Sequence, residues 1–598
     1  MTKKLLRLGL CVCLCLPLFS CKKPQDSGGS TEPPQANDTK ALVPNDYDGN
    51  PDFTAMVEEY TLDLFAPDDF ALNYYFNNPA DYGIQQELYT LWYMDRKAWD
   101  TLMQSSQDYY DRLLSFDTNT LSSKQLVTYN VLKNTLEAEL ALKDFYYLDN
   151  AYLGTYLKFQ ATLPIYLEEF TFNNTWDIEA YFHMLQQAKE ILPKYAELEA
   201  ERQKQGVGLG QNLLDEIIEQ CEGVANASDY YLLKNFENKL AELDFLSESE
   251  KQELIKRHQT YIVDYFQKGY AQLAVALREI DASAMTDVPL SEKPGGQDYY
   301  NALLLANVGI SMNGQELDAY LDAWMEKAVT ELRALKQQYG DEYLYYWSAE
   351  MTDAKDATEL YDYLYTAIAK DYPVIEKSLI DVKKIDDANA DNTSPAMYFT
   401  SKIDAGASDP ERILVNGYFS SYDYQTYAHE GYPGHLYQTV YVKTLDLPIL
   451  HQVLGGYGYV EGWATYAEQQ ALDYAIMSEK DRSGMYWDNI YYYIVVCKAD
   501  VLVNYYGYSR QELAQYVYST YGPFMDANML YDICTEEPTN VLYYYVAFLR
   551  FIDLRERMES ALGADFTLKE FHQFILDRPA YTFDQLDAEL EVYLKNRN

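Results

Sequence analysis

YAHEGYPGHLYQ, residues Tyr427 to Gln438, is the stretch whose geometry has to be solved first. It holds two of the six histidines in 598 residues, with Glu430 directly after the first. Histidines at i and i+4 of a helix face one side, and a glutamate next to the first lies beside whatever the pair holds. Here the second histidine is at i+6. At 3.6 residues per turn, six steps end roughly 120° from the start, so a straight helix aims His429 and His435 apart. Pro433 has no N–H to donate and disfavours helical geometry at Tyr432. Gly431 and Gly434 permit a bulge. Looping out two residues returns His435 to the face of His429, so the segment reads as helix, break, helix.

The rest of the chain agrees with a mainly helical fold from about Tyr47 onward. Capping-box pairs recur at Ser122/Gln125, Ser247/Glu250, Ser509/Glu512 and Thr567/Glu570. In each, a hydroxyl and a Glu or Gln three residues later satisfy the free N–H groups of a helix start. Leu88, Leu91, Trp92, Trp99, Leu102 and Met103 follow helical spacing, and Gly206 to Gly210 reads as a loop. Two short β-like runs, Pro395 to Thr400 and Arg412 to Tyr418, stand just upstream of the histidines. They form either a connecting hairpin or an edge that an extended peptide can join. The expected fold is mainly α: a large multi-helix domain with a small β element next to the site.

Lys3, Lys4 and Arg7 precede an apolar stretch too short for a confident membrane span. Leu18-Phe-Ser-Cys21 resembles a bacterial lipobox, which implies cleavage before Cys21 and a lipid on its sulfur; an ordinary secretory signal is the alternative. Residues 21–46, rich in Gly, Ser and Pro, read as a flexible tether. The helical domain then covers 47–598, as an N-terminal part over 47–394 and a metal-site part over 395–598. The net charge of −46 argues against nucleic acid and against adhesion to anionic lipid by charge. Cys221, Cys497 and Cys534 are too few and too scattered for a disulfide framework or a thiolate metal site.

A catalytic zinc takes about three protein ligands and keeps one position open. His429 and His435 supply two. The best third candidate is Glu461, at the start of the helical run YVEGWATYAEQQ, with Thr465 and Glu468 on its face at i+4 and i+7. Glu468 is placed to hold a ligand histidine. Taken alone, Glu461 is better read as a solvated helix-start carboxylate. His183, His258, His451 and His572 stand alone on helical patterns and receive no role. The 61 tyrosines are mostly packing residues.

H-E-G-Y-P-G-H followed by V-E-G-W-A-T-Y-A-E resembles the bacterial domain-of-unknown-function 885 family, whose members carry H-E-G-x-P-G-H-H and E-G-W-A-x-Y-A-E. The likeness continues in Leu542 to Met558, where the family reads L-S-Y-K-I-G-x-L-x-I-x-x-L-R-E-R. That family is grouped with gluzincin-type zinc metallopeptidases. The resemblance implies His429, His435 and Glu461 as ligands of Zn2+ and Glu430 as general base. It aligns Tyr544 with the family tyrosine, read either as an oxyanion donor or as one packed tyrosine among three. Arg555 falls on the family arginine, read as a group that supports the ligands or touches substrate. Leu436, Tyr545 and Ala547 depart from the family's His, Lys and Gly.

The expectation is a lipid-anchored, extracytoplasmic zinc peptidase acting on peptides through a zinc-activated water. The alternative is a tyrosine-rich helical surface lipoprotein that binds glycans or peptides without catalysis. An intact Glu430 favours the enzyme, since a binder needs no base.

Overall fold

The computed structural model describes residues 33–37, 39–155, 158–285, 288–385, 396–406 and 408–597. The expected lipidation site Cys21 and its signal lie outside them. The chain is mainly α-helical, with one three-stranded sheet. Three of the expected capping boxes, at Ser122, Ser247 and Ser509, form in both directions. At Thr567 only half forms: its hydroxyl accepts the Glu570 N–H. The Glu570 carboxylate is drawn instead to Tyr593 and Arg597 of the last helix.

Two other expectations change. Leu88, Leu91 and Trp92 are not helical; the helix begins at Arg96, capped by Asp95. The preceding chain is held extended by a bridge between Asp69 and Thr90 and by the Trp92 indole, which donates to Asp69 at 3.3 Å. The expected tether also docks before Tyr47. Leu42 is buried, and the Lys40 N–H donates to the Asp81 carbonyl at 2.7 Å.

The buried residues sort into two main clusters. One runs from Leu42 to Ala282 with Ile449; the other draws mostly on Leu290 to Leu590. Tyr299 to Ile375 pack with the residues that follow them, so the two main clusters part near residue 285.

The sheet comprises β1 (Ile380–Lys384), β2 (Ala396–Phe399) and β3 (Glu411–Val415), in the order β1-β3-β2. β3 pairs antiparallel with β2, Tyr398 opposite Ile413, and parallel with β1, Val382 opposite Ile413. The two expected runs are thus β2 and β3, and β2 is an edge. β1 was not anticipated: its apolar alternation is only Ile380 and Val382.

Five helices build the site, numbered in chain order: α1 (Tyr424–Glu430), α2 (His435–Thr444), α3 (Tyr457–Gln470), α4 (Glu479–Asn504) and α5 (Asn540–Leu562). α3 and α5 pack closely at Gly462, where a Cβ would come within 2.4 Å of the Ala547 Cβ. The alanine at 547 is therefore accommodated by the glycine facing it. Among the described residues, no helix is long and apolar enough to cross a membrane.

Candidate metal centre

The helix breaks between Glu430 and His435. α1 ends as the Gly431 N–H reaches the Tyr427 carbonyl at 2.9 Å, and α2 starts at His435. Backbone groups on both sides of the break are hydrogen-bonded. The Gly434 N–H donates to the Ala428 carbonyl at 3.0 Å, and the Pro433 carbonyl accepts the Trp463 indole N–H at 3.1 Å. Neither glycine needs a positive φ; what the loop needs is space. A Cβ on Gly434 would lie 1.8 Å from the His429 carbonyl oxygen. Only glycine lets the returning chain lie this close to the end of α1.

This fold-back brings the two imidazoles together, with ring centroids 4.7 Å apart and planes at 83°. Glu461, on the first turns of α3, completes the cluster. Its Oε2 lies 3.4 Å from His429 Nε2 and 3.3 Å from His435 Nε2. Among the described residues, these three are the one group of His, Cys, Asp and Glu side chains whose ligand atoms all lie within 4.8 Å of one another. All three are buried. Burial pushes the Glu461 carboxyl up, but the charges and hydrogen bonds of His435 and His429 outweigh this and hold it below the ordinary carboxylate range.

The spacing fits a cation. A tetrahedral zinc with bonds of about 2.0–2.1 Å sets its ligand atoms about 3.3–3.4 Å apart. Two imidazoles and one carboxylate also leave a fourth position for water or substrate. Glu430, the last residue of α1, is fully buried beside this cluster. Its charge reaches the Tyr361 phenol: burial first, and then Glu430, push that hydroxyl well above its ordinary value.

Glu468 stands behind His429. Its Oε2 lies 3.1 Å from His429 Nδ1, while its Oε1 accepts from the Tyr493 hydroxyl at 2.9 Å and from Gln469 at 3.2 Å. Tyr493, on α4, stacks on Tyr545 of α5 with centroids 3.9 Å apart. The departure at 545 thus adds a packing partner to the support of the site. Leu436, where the family has its second His, is fully buried in the core.

Tyr544 lies alongside His429, ring centroids 6.4 Å apart. Arg555 is not brought to the ligands. It lies about three turns further along α5, donates to Gln470 at the end of α3, and sits 5.7 Å from the Tyr466 ring. Reading the sequence missed Trp463, which holds the loop, Tyr493, which holds Glu468, and Tyr361, which lies near Glu430. Trp463 stands inside the quoted EGWATYAE run, but no spacing rule ties it to Pro433.

A search of curated proteins finds no match. The fold is similar to the crystal structure of a protein from Colwellia psychrerythraea described as a "putative lipoprotein". The TM-score is 0.78 and the identity 16%, over 91% of this chain and 99% of that one. A protein from Shewanella oneidensis, described as a "putative lipoprotein of unknown function", matches with a TM-score of 0.57 and 16% identity, over 84% of this chain and 94% of that one. Likeness at this identity establishes the mainly α fold. A family profile described as "Bacterial protein of unknown function (DUF885)" matches residues 81–590, most of the chain, and the chain therefore belongs to that family.

Proposed function

We propose that the protein is a zinc-dependent peptidase, held by a lipid on Cys21 outside the cytoplasmic membrane. The observation that carries this reading is the meeting of His429 and His435 Nε2 with one Glu461 oxygen, at 3.4 and 3.3 Å, with Glu430 buried beside them. A zinc ion held by these three residues would lower the pKa of water to about 7 and polarise a carbonyl.

The chain's own groups do the rest. The His429 Nδ1–H donates to Glu468, which fixes the ring in the tautomer that presents the Nε2 lone pair to the site. Tyr493 and Gln469 hold Glu468 in place for this. Glu430 takes the proton of the attacking water and passes it to the leaving amine. Tyr544, whose ring lies alongside His429, would donate to the carbonyl oxygen as charge develops there, a role worth about 3 kcal/mol. The lipobox at Leu18 to Cys21 supports export and anchoring, as does the description of the two fold relatives as lipoproteins.

The test is digestion of a mixed peptide library by the purified chain and by Glu430→Gln. The wild type should cleave peptides, and the variant should keep its zinc and lose turnover. A zinc-loaded wild type that binds peptides or glycans but cleaves nothing would return the protein to the binding reading.

A further inference from the structure

A cavity of about 400 Å³ opens where the N-terminal helices meet the sheet and α2. It contains none of the three ligands, yet it adjoins them. Gln438, Thr439 and Val442 line it, at i+3, i+4 and i+7 from His435 on the same stripe of α2. Gln438 and Val442 are thus about 4.5 and 10 Å along the helix from His435. An extended peptide advances about 3.3–3.6 Å per residue. Its second or third residue beyond the bond at the metal therefore reaches this cavity.

The chemistry of the lining selects the ligand. Three of its side-chain nitrogens are buried, Arg412 Nε, Gln438 Nε2 and His451 Nδ1, and the first and last meet no protein group in hydrogen-bonding geometry. The first two are N–H donors; the third follows its tautomer. Asp381 is 3.8 Å from Arg412 Nε, beyond hydrogen-bond reach. Gln438 is only 4% exposed, and beside its amide lies the Tyr459 hydroxyl, which gives its own proton to the Ile575 carbonyl and keeps an oxygen lone pair toward Gln438. No oxygen of the described lining side chains is in that position. The acidic groups there are engaged: Glu169 with Arg412 at 3.2 Å, and Asp409 with the Gly406 N–H at 2.7 Å. Lys402 uses two of its three N–H groups, on Thr171 and Phe76. Burial pushes its ammonium down to about 8 against the pull of Asp177 and Asp404. A buried donor without an acceptor is destabilising, so this cavity is built to receive an acceptor, preferably an anionic one.

We propose that the cavity binds the free C-terminal carboxylate of a short peptide, through Arg412, Gln438 and Lys402. This rests on the peptidase reading and deepens it: hydrolysis adds water across an amide two or three residues from the C-terminus, OH to the acyl carbon and H to the nitrogen, and releases a short C-terminal fragment.

The experiment uses the full chain with Glu430→Gln, to stop turnover, and calorimetric titration with N-acetyl-trialanine as the free acid and as the C-terminal amide. The acid should bind about tenfold or more tightly than the amide, the size expected of a charge-assisted hydrogen bond. Arg412→Gln should bring that ratio close to one, and Lys402→Gln, as a second variant should the first fail to fold, should reduce it. Equal binding of acid and amide, binding of neither, or a ratio that survives in both variants would overturn the proposal. Acid preference without any cleavage by the wild type would retain the carboxylate site and remove the peptidase reading. Cleavage without acid preference would do the reverse.

Discussion

Buried histidine is treated in two ways in this molecule. His258 stacks on Phe236 with centroids 4.1 Å apart, and its Nε2 meets the Tyr181 hydroxyl at 3.1 Å. His572 stacks on Tyr372 at 3.9 Å, between the Tyr466 hydroxyl and the Asp371 carbonyl. Burial pushes both imidazoles down to about 3, so they are neutral packing groups. His429 and His435 are as deeply buried, but carboxylates face them: Glu461 at both Nε2 atoms and Glu468 at His429 Nδ1. Burial therefore does not mark a functional histidine here. The mark is negative charge kept out of water beside imidazole nitrogen, which is costly unless a cation or proton compensates it.

That contrast can be broken from the site's side first. Gly434→Ala would push a Cβ into the His429 carbonyl oxygen. We expect zinc affinity to fall by at least the 10–100-fold typical of losing a hydrogen bond behind a metal ligand. Unfolding should become easier by about 1–3 kcal/mol. Unchanged zinc binding in competition with a chelator would contradict the role given to the loop. Glu468→Gln should be milder, costing about 10–100-fold in zinc affinity with little change in unfolding midpoint. If it lowers the midpoint but spares affinity, Glu468 is a packing residue.

The smallest effect on metal should come from the packed histidines. His258→Phe should leave zinc content unchanged and alter only acid stability. The folded pKa of about 3 lies below the ordinary 6.5. Neutral His258 therefore contributes stability above pH 6.5 that is lost as pH falls toward 3, at about 1.4 kcal/mol per pH unit. Denaturant unfolding across that range should show a shallower slope in the variant. Loss of zinc in this variant would erase the distinction between the two kinds of histidine.

The helix break was legible because an i+6 spacing and a straight helix cannot both serve one metal, and Pro433 and two glycines supply the break. What the glycines do was less legible: Gly434 provides room against the His429 carbonyl and Gly431 against the Tyr361 ring, contacts no φ/ψ argument contains. β2 and β3 were readable from their apolar runs, whereas β1 exposes much of its length and shows only two apolar positions. Leu88 to Trp92 mimicked helical spacing because the Asp69–Thr90 bridge, a tertiary contact, decides that segment. Tyr493 and Trp463 escaped notice for a similar reason: each acts on a residue at least 25 positions away, through hydrogen bonds of 2.9 and 3.1 Å.

On this reading His429, His435 and Glu461 hold one cation between them. Metal analysis of the purified chain, side by side with His435→Ala and His572→Phe, tests it most directly. About one zinc per chain is expected in the wild type and in His572→Phe, and none in His435→Ala. Zinc retained by His435→Ala at the wild-type level, or absent from a folded wild type supplied with zinc, would contradict it.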